Sequence, residues 1–377
     1  MRLTASPKVK IPVLIACYTA AAFAVLGGLA RVYHIRAERY ENLASESYRL
    51  AFSEMASQLS AIDTTLQKSL YSGAPELMTE QLEWLSATLT TLSEGVREAE
   101  RTAGGGALTE DGLKERLGRL RRVTPTDGGP FQASGIPGKR AKLLEGYGEI
   151  TKSEAAAAAS GFLELPMNRL RYAGERHEQG QPPVYVFTDG TTGAPMEITV
   201  AKTGGFIVGI KSSRVPRSNG LPPEEAVKLA ENFLKSAGFR DMRITRYVTD
   251  DKLVYVQFAH AKDSVVFYPD EISVSVGRDG GGITDFNSTG YIMNHHKREL
   301  PSPQISEEDA RAALSSRLNV LSHGMAVVPG DGGEIYCHEF RCESGTGRQC
   351  LVHINAETGA EENILLVRRS EDSLEII

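Results

Sequence analysis

One short phrase is written three times in the second half of this chain: Ser153-Glu154-Ala155, Glu224-Glu225-Ala226 and Glu308-Asp309-Ala310. Each opens a helical pattern. A tyrosine-bearing strand follows each time, at Val184-Tyr185-Val186-Phe187, Leu253-Val254-Tyr255-Val256 and Ile335-Tyr336-Cys337. The tyrosine trails the alanine by 30, 29 and 26 residues, and the phrases are 71 and 84 residues apart. A second strand and a glycine turn close each copy, at Val200 to Gly205, Val276 to Gly281 and Ile354 to Gly359. Repetition at a fixed order of elements predicts tandem copies of one small module. Each copy is too small to hold a large core alone, so neighbouring copies are expected to dock. Modules repeated in this way point to binding or regulation, because catalysis needs one asymmetric site.

Within each copy the residues dictate a helix on a small sheet. Pro222 and Pro223 precede Glu224 and Glu225, and proline and acidic residues both suit a first helical turn. Ala226, Ala230, Phe233 and Leu234 then form one face, and Gly238 suits the exit. The first helix is rich in alanine from Ala155 to Ala159 and is expected to pack very close to its sheet. The third stripe is expected to run Ala310, Ala313, Leu314 and Leu318. Ile272, Val274 and Val276 alternate with Ser273 and Ser275, the pattern of a half-exposed antiparallel strand. The expected fold class is α+β, a helix packed on a small antiparallel sheet in each of three modules. Their expected bounds are 150–217, 218–300 and 301–370.

The first third reads differently. Residues 11–30 carry no charged side chain, and twenty helical residues span about 30 Å, the hydrocarbon thickness of a bilayer. A transmembrane helix is expected there, behind a short cytoplasmic tail at 1–10. Lys8 and Lys10 on one side and Arg31, Arg36 and Arg39 on the other leave the positive-inside rule nearly balanced. Arg2 and the α-amine tilt it toward an inside N-terminus, with the body of the chain outside the cytoplasm. A cleaved signal peptide ending near Gly28-Leu29-Ala30 is the alternative.

A helical hairpin is expected at 31–122. Tyr48, Phe52, Met55, Leu59, Ile62, Leu66 and Leu70 recur in steps of mostly three and four, and Gly73-Ala74-Pro75 breaks the run. Met78, Leu82, Leu85, Leu89, Leu92 and Val96 make a second seam. Two helices cannot bury both seams. The short pattern at Leu113, Leu117 and Leu120, a second copy of the chain, or a partner must cover the rest. A Gly- and Pro-rich linker is expected at 123–149.

The balance of 42 Lys and Arg against 48 Asp and Glu gives a net charge of −6, which does not point to nucleic acid. No complete catalytic pattern stands in the chain. His338-Glu339 lacks the second histidine of a zincin, Ser344-Gly345-Thr346-Gly347 misses a nucleophile elbow, and Gly277 to Gly282 reads as a hairpin turn. The acidic pairs of the repeated phrase read as helix-start signals. Cys337, Cys342, Cys350, His338 and His353 invite a zinc reading, but the spacings are wider than the usual ligand pairs. Free buried thiols are the leading reading, and a Cys342–Cys350 disulfide across the hairpin at Gly345 and Gly347 is the alternative. His295-His296-Lys297-Arg298 lies between the second and third modules. It is either a hydrogen-bonded connector or a partner contact. No catalytic, cofactor or metal residue is expected.

The helix, tyrosine strand and Ala356-Glu357-Thr358-Gly359 turn together resemble the PepSY domain. The order of membrane segment, helical region and three such modules is similar to the YpeB family of germination proteins. Ser47-Tyr48-Arg49-Leu50-Ala51-Phe52, Lys202-Thr203-Gly204-Gly205, Phe267-Tyr268-Pro269-Asp270-Glu271-Ile272 and His295 to Pro303 carry the likeness. It covers about 151–370 most fully, and the helical region is shorter than the family's. The resemblance implies a non-enzymatic protein at the inner spore membrane, partnered with a SleB-like cortex-lytic hydrolase that it stabilises, localises or inhibits. An extracytoplasmic sensor or peptidase inhibitor is the alternative.

Overall fold

The structure is a computed structural model of the chain. It describes residues 61–74, 83–84, 86–88, 141–189, 195–217, 220–330, 332–369 and 374–376. The expected transmembrane helix, most of the helical hairpin and the linker up to residue 140 lie outside the described residues. Among the described residues no helix is long and apolar enough to cross a membrane. The chain divides into two compact units, Met1–Asp63 with Leu85–Thr124, and Thr64–Trp84 with Pro125–Ile377. The repeated modules all belong to the second unit.

A helix followed by four antiparallel strands occurs three times. The first copy has α1 (Lys152–Leu163), β1 (Leu170–Arg176), β2 (Val184–Asp189), β3 (Met196–Ala201) and β4 (Ile207–Ser212). The second has α2 (Pro223–Ser236), β5 (Met242–Thr249), β6 (Leu253–Lys262), β7 (Val265–Gly277) and β8 (Ile283–Asn287), followed by a short α3 (Thr289–Asn294). The third has α4 (Glu307–Ala312), β9 (Leu318–Gly330), β10 (Gly333–Ser344), β11 (Gln349–Asn355), β12 (Glu361–Arg369) and an added β13 (Leu374–Ile376) beyond the expected boundary. The class is α+β and rich in sheet. The outer strands of each meander carry no repeated phrase, so the sequence did not announce them.

The repeated phrase starts helices for ordinary reasons. The Thr151 hydroxyl accepts from the Glu154 amide while the Glu154 carboxylate accepts from the Thr151 amide, a reciprocal capping box. Ser306 caps α4 by accepting from the Asp309 amide, and Pro223 opens α2. Ala155, Ala226 and Ala310 are each completely buried. There the helix backbone approaches the sheet too closely for a larger side chain.

The copies agree down to an irregularity in register. A bulge precedes Val200, Val276 and Ile354, which pair with Ile207, Ile283 and Glu361. The turns between carry Gly205, Gly281 and Gly359 at φ of 72°, 75° and 75°, a conformation that favours glycine. The tyrosines are not equivalent. Tyr185 lies opposite Val200, but Tyr255 lies opposite Ser275, and the residue opposite Ile354 is His338, two beyond Tyr336. The unequal spacing of the tyrosines in the sequence reflects this: the true repeat position holds Tyr185, Val254 and His338.

β4 pairs with β8, so modules one and two share a continuous eight-stranded sheet, β1-β2-β3-β4-β8-β7-β6-β5. Both helices cover one core. Phe162 and Phe233 meet edge to face at 5.8 Å, and both contact Phe286. Module three joins through a parallel pairing of β7 with β9 and an antiparallel contact of β13 with β5. The path β7-β6-β5-β13-β12-β11-β10-β9 returns to β7, a ring of eight strands drawn from two modules. Ala259, Val266 and Tyr268 from module two and Ala326, Val328, Cys337, Leu351 and Leu365 from module three fill it.

The third helix ends at Ala312, earlier than its apolar stripe suggested, and Leu318 opens β9 instead. Ala226→Leu is expected to overpack the contact between α2 and its sheet and lower stability by about 1–3 kcal/mol. Urea unfolding with an unchanged slope and a lowered midpoint would show it.

Candidate functional site

The junction between modules two and three is crossed by a connector that carries several charged and histidine side chains. The connector from His295 to Gln304 leaves α3, crosses the junction and reaches α4. Arg298 is its fixed point, with only 6% of its side chain exposed. Its guanidinium donates to Asp270 of β7 at 2.6 and 2.8 Å and to Glu334 of β10 at 2.7 and 2.9 Å. It also lies over the Phe267 ring at 4.9 Å. His295 Nδ1 lies 2.7 Å from Asp270 Oδ2, and its ring stacks on Tyr291 at 4.2 Å. Asp270 is wholly buried. Burial pushes its carboxyl up, but the hydrogen bonds from His295 and Arg298 and their charge outweigh this and hold it below its ordinary value. Glu334 is held low in the same way: burial raises it, Arg298 and Lys142 lower it further.

A second polar cluster stands inside the strand ring. The Tyr268 hydroxyl donates to Glu339 Oε2 at 2.6 Å, and His353 Nε2 lies 3.1 Å from the same oxygen. Burial pushes the Tyr268 hydroxyl well above its usual range, and the Glu339 charge pushes it further. Burial acts against the Glu339 carboxylate too, yet the contact with His353 keeps it below the ordinary value. Both clusters join a residue of β7 to one of β10, so they tie module two to module three.

Beside the connector lies a groove of about 470 Å³. Its walls are the strap Leu300-Pro301-Ser302-Pro303 and the edge at Val327, Ile335 and Tyr336. Lys297 is exposed at its rim, while His296 turns inward, its Nδ1 2.7 Å from the Asn294 carbonyl oxygen. Of the four residues singled out in this connector, His295 and Arg298 are therefore engaged inside the protein, and Lys297 faces outward. The sequence held no sign of the acidic partners Asp270 and Glu334, which lie 28 and 36 residues from Arg298.

The cysteines and histidines of module three fall on two faces. Cys337 and His353 point into the ring; Cys342, Cys350 and His338 lie on the helix side. Among the described residues no group of three or more His, Cys, Asp or Glu is placed to hold a metal ion. His338 is bound instead by His323 at 3.0 Å and by the Ile305 carbonyl at 2.9 Å. Burial pushes the Cys337 thiol up to about 12. Cys342 and Cys350 are direct partners across β10 and β11, both completely buried, free thiols in contact with each other. That contact lowers the Cys342 thiol and raises Cys350. Residues directly opposite in antiparallel strands stand about 4.5–5.5 Å apart at Cα, inside the range that a disulfide spans.

Comparison with known proteins places this architecture. The family model described as "YpeB sporulation, PepSY1 and PepSY2 domains" matches residues 120–301, which hold modules one and two. Over these residues the chain is similar to the YpeB family. Its relatives include the "Sporulation protein YpeB" of Halalkalibacterium halodurans, 26% identical over 59% of this chain and 50% of the relative. That of Oceanobacillus iheyensis is 26% identical over 75% and 62%. That of Bacillus subtilis is 24% identical over 78% and 65%. The chain thus matches half to about two thirds of the length of these relatives. The solved "Bacillus megaterium YpeB C-terminal domain" is similar in fold, with a TM-score of 0.52, 24% identity, and coverage of 59% of this chain and 99% of that one. The relatives are named as sporulation proteins, and none is named as an enzyme.

Arg298→Ala strips the wholly buried Asp270 of its guanidinium partner and leaves it His295 alone among the described side chains, and is expected to cost about 3–5 kcal/mol. The depressed carboxyls of Asp270 and Glu334 contribute stability that is present above their ordinary values and lost as pH falls through the folded ones. Stability of the unmodified protein should therefore decline below about pH 4. The decline should be shallower in Asp270→Asn, as urea midpoints between pH 2 and 6 would show. Under oxidising conditions the two facing thiols are expected to close a Cys342–Cys350 bridge, which removes two thiols from alkylation without reductant. Mass spectrometry finding both alkylated would sink it.

Proposed function

We propose that this chain is a non-enzymatic, membrane-anchored binding protein that holds a cortex-lytic hydrolase until germination. The observation that carries this reading is the junction groove. Around it the buried charges are matched internally, by Arg298 with Asp270 and Glu334, while a proline-rich strap and an exposed lysine remain outward. A groove that mixes apolar and polar walls in this way suits protein recognition. The carboxylates of the repeated phrase are spent on helix starts, which removes the acid pair that glycan hydrolysis would require there. The charge-free run at 11–30 supports a single-pass anchor with the modules outside the cytoplasm. A protein held there meets a cortex hydrolase without diffusing away from the membrane.

A photo-crosslinking residue at Lys297 in the full chain, expressed in sporulating cells, is expected to capture a cortex-lytic hydrolase in dormant spores. The same residue at the exposed Lys228 of α2 serves as the control. Absence of a hydrolase adduct at 297, together with unchanged hydrolase levels in spores lacking the chain, would overturn the proposal.

A further inference from the structure

Module three departs from its siblings at two positions, one just after its helix and one at the start of its fourth strand. In modules one and two the residue seven places after the buried alanine is aromatic, Phe162 and Phe233, and packs on the core. In module three that place is Arg317, and it lies beyond the end of the six-residue α4. At the start of the fourth strand the siblings carry Ile207 and Ile283, turned to the same core. Module three carries Glu361, with the same register to the strand before it and the same glycine two residues earlier. The third copy thus lacks a ring and gains a carboxylate on its helix side.

Both departures are met by residues from far upstream. The helical segment at 61–71 ends at this spot. Tyr71 is buried among Ala310, Leu318, Phe340, Cys342 and Leu366, supplying the missing aromatic ring. The Ser72 hydroxyl donates to Glu361 Oε1 at 2.7 Å, and the Gly73 amide donates to Glu361 Oε2 at 3.0 Å. Arg317 donates to the Leu70 carbonyl at 3.2 Å, satisfying one of the carbonyls that a helix leaves open at its end. Gly73 passes so close that a Cβ there would stand 2.6 Å from the Ala313 carbonyl oxygen. Glu361 is 8% exposed. Without these donors its charge would be buried without compensation, which is costly.

We propose that module three carries a recognition socket for a helix end of the form Leu-Tyr-Ser-Gly, and that the chain's own residues 70–73 are its resident ligand. Arg317 reads the helix-terminal carbonyl, the space left by the short α4 takes the tyrosine ring, and Glu361 reads the serine and the glycine amide. The helix end at 70–73 is thereby latched to the module, and a socket of this chemistry remains when the latch is withdrawn.

The test uses the full chain in three forms: unmodified, Gly73→Val and Gly73→Val with Glu361→Gln. Gly73→Val changes only the ligand and leaves every socket residue in place. Hydrogen exchange is expected to quicken at least tenfold over residues 64–73 in Gly73→Val while α4 and β11 keep their protection. A labelled peptide of residues 64–73 is expected to bind Gly73→Val at least tenfold more tightly than either the unmodified chain or the double variant. Unchanged exchange over 64–73 would overturn the proposal. So would joint loss of protection in β11, which would make the tip an inseparable part of the core. Equal peptide binding to all three forms, or to none, would overturn it as well.

Discussion

Arg298 holds modules two and three together, and the arrangement at the junction rests on it. One planar guanidinium satisfies a carboxylate from each module, Asp270 on β7 and Glu334 on β10. Two negative charges drawn into one partly dry place would repel. The fork of donors on arginine turns that repulsion into a bridge, a geometry that lysine does not reproduce. Because β7 also pairs with β9, the bridge stands beside the seam of the strand ring. The inner contact of Tyr268 with Glu339 crosses the same seam from the other face. Strand hydrogen bonds alone would let the modules slide in register; the two polar contacts select one.

The three copies share what the helix-on-sheet unit needs and differ where the units meet. The completely buried alanine, the bulge and the left-handed glycine recur at matching positions. Modules one and two join by their fourth strands, β4 to β8. Module three uses the flank of β9 and an added strand. Its helix side is completed by Tyr71 and its strand side by module two, so the third copy borrows structure on both faces.

The helix starts and the middle strands were readable because capping residues and period-two alternation act locally. Thr151, Ser306 and Pro223 announce their helices within one turn. The candidate site was readable only in part. The cluster His295 to Arg298 stood out by composition, but its role depends on Asp270 and Glu334, far away in the chain. The tyrosines misled. A large aromatic residue suits either face of a strand, so Tyr185, Tyr255 and Tyr336 recur without being equivalent, whereas Ala155, Ala226 and Ala310 are held by a close contact that tolerates nothing larger.

By itself the sequence determined the number of modules, their helix-on-sheet character and the likeness to the YpeB family. The first two follow from repetition and local propensity; the likeness rests on particular phrases, such as Phe267 to Ile272 and His295 to Pro303. Tertiary structure alone decided that β4 meets β8, that eight strands from two modules close into a ring, and that Glu361 faces Ser72 and Gly73. Pairing of strand edges and compensation of buried charge join residues far apart in the chain, 289 positions in the case of Ser72 and Glu361. No local pattern encodes which distant donor will meet a given carboxylate.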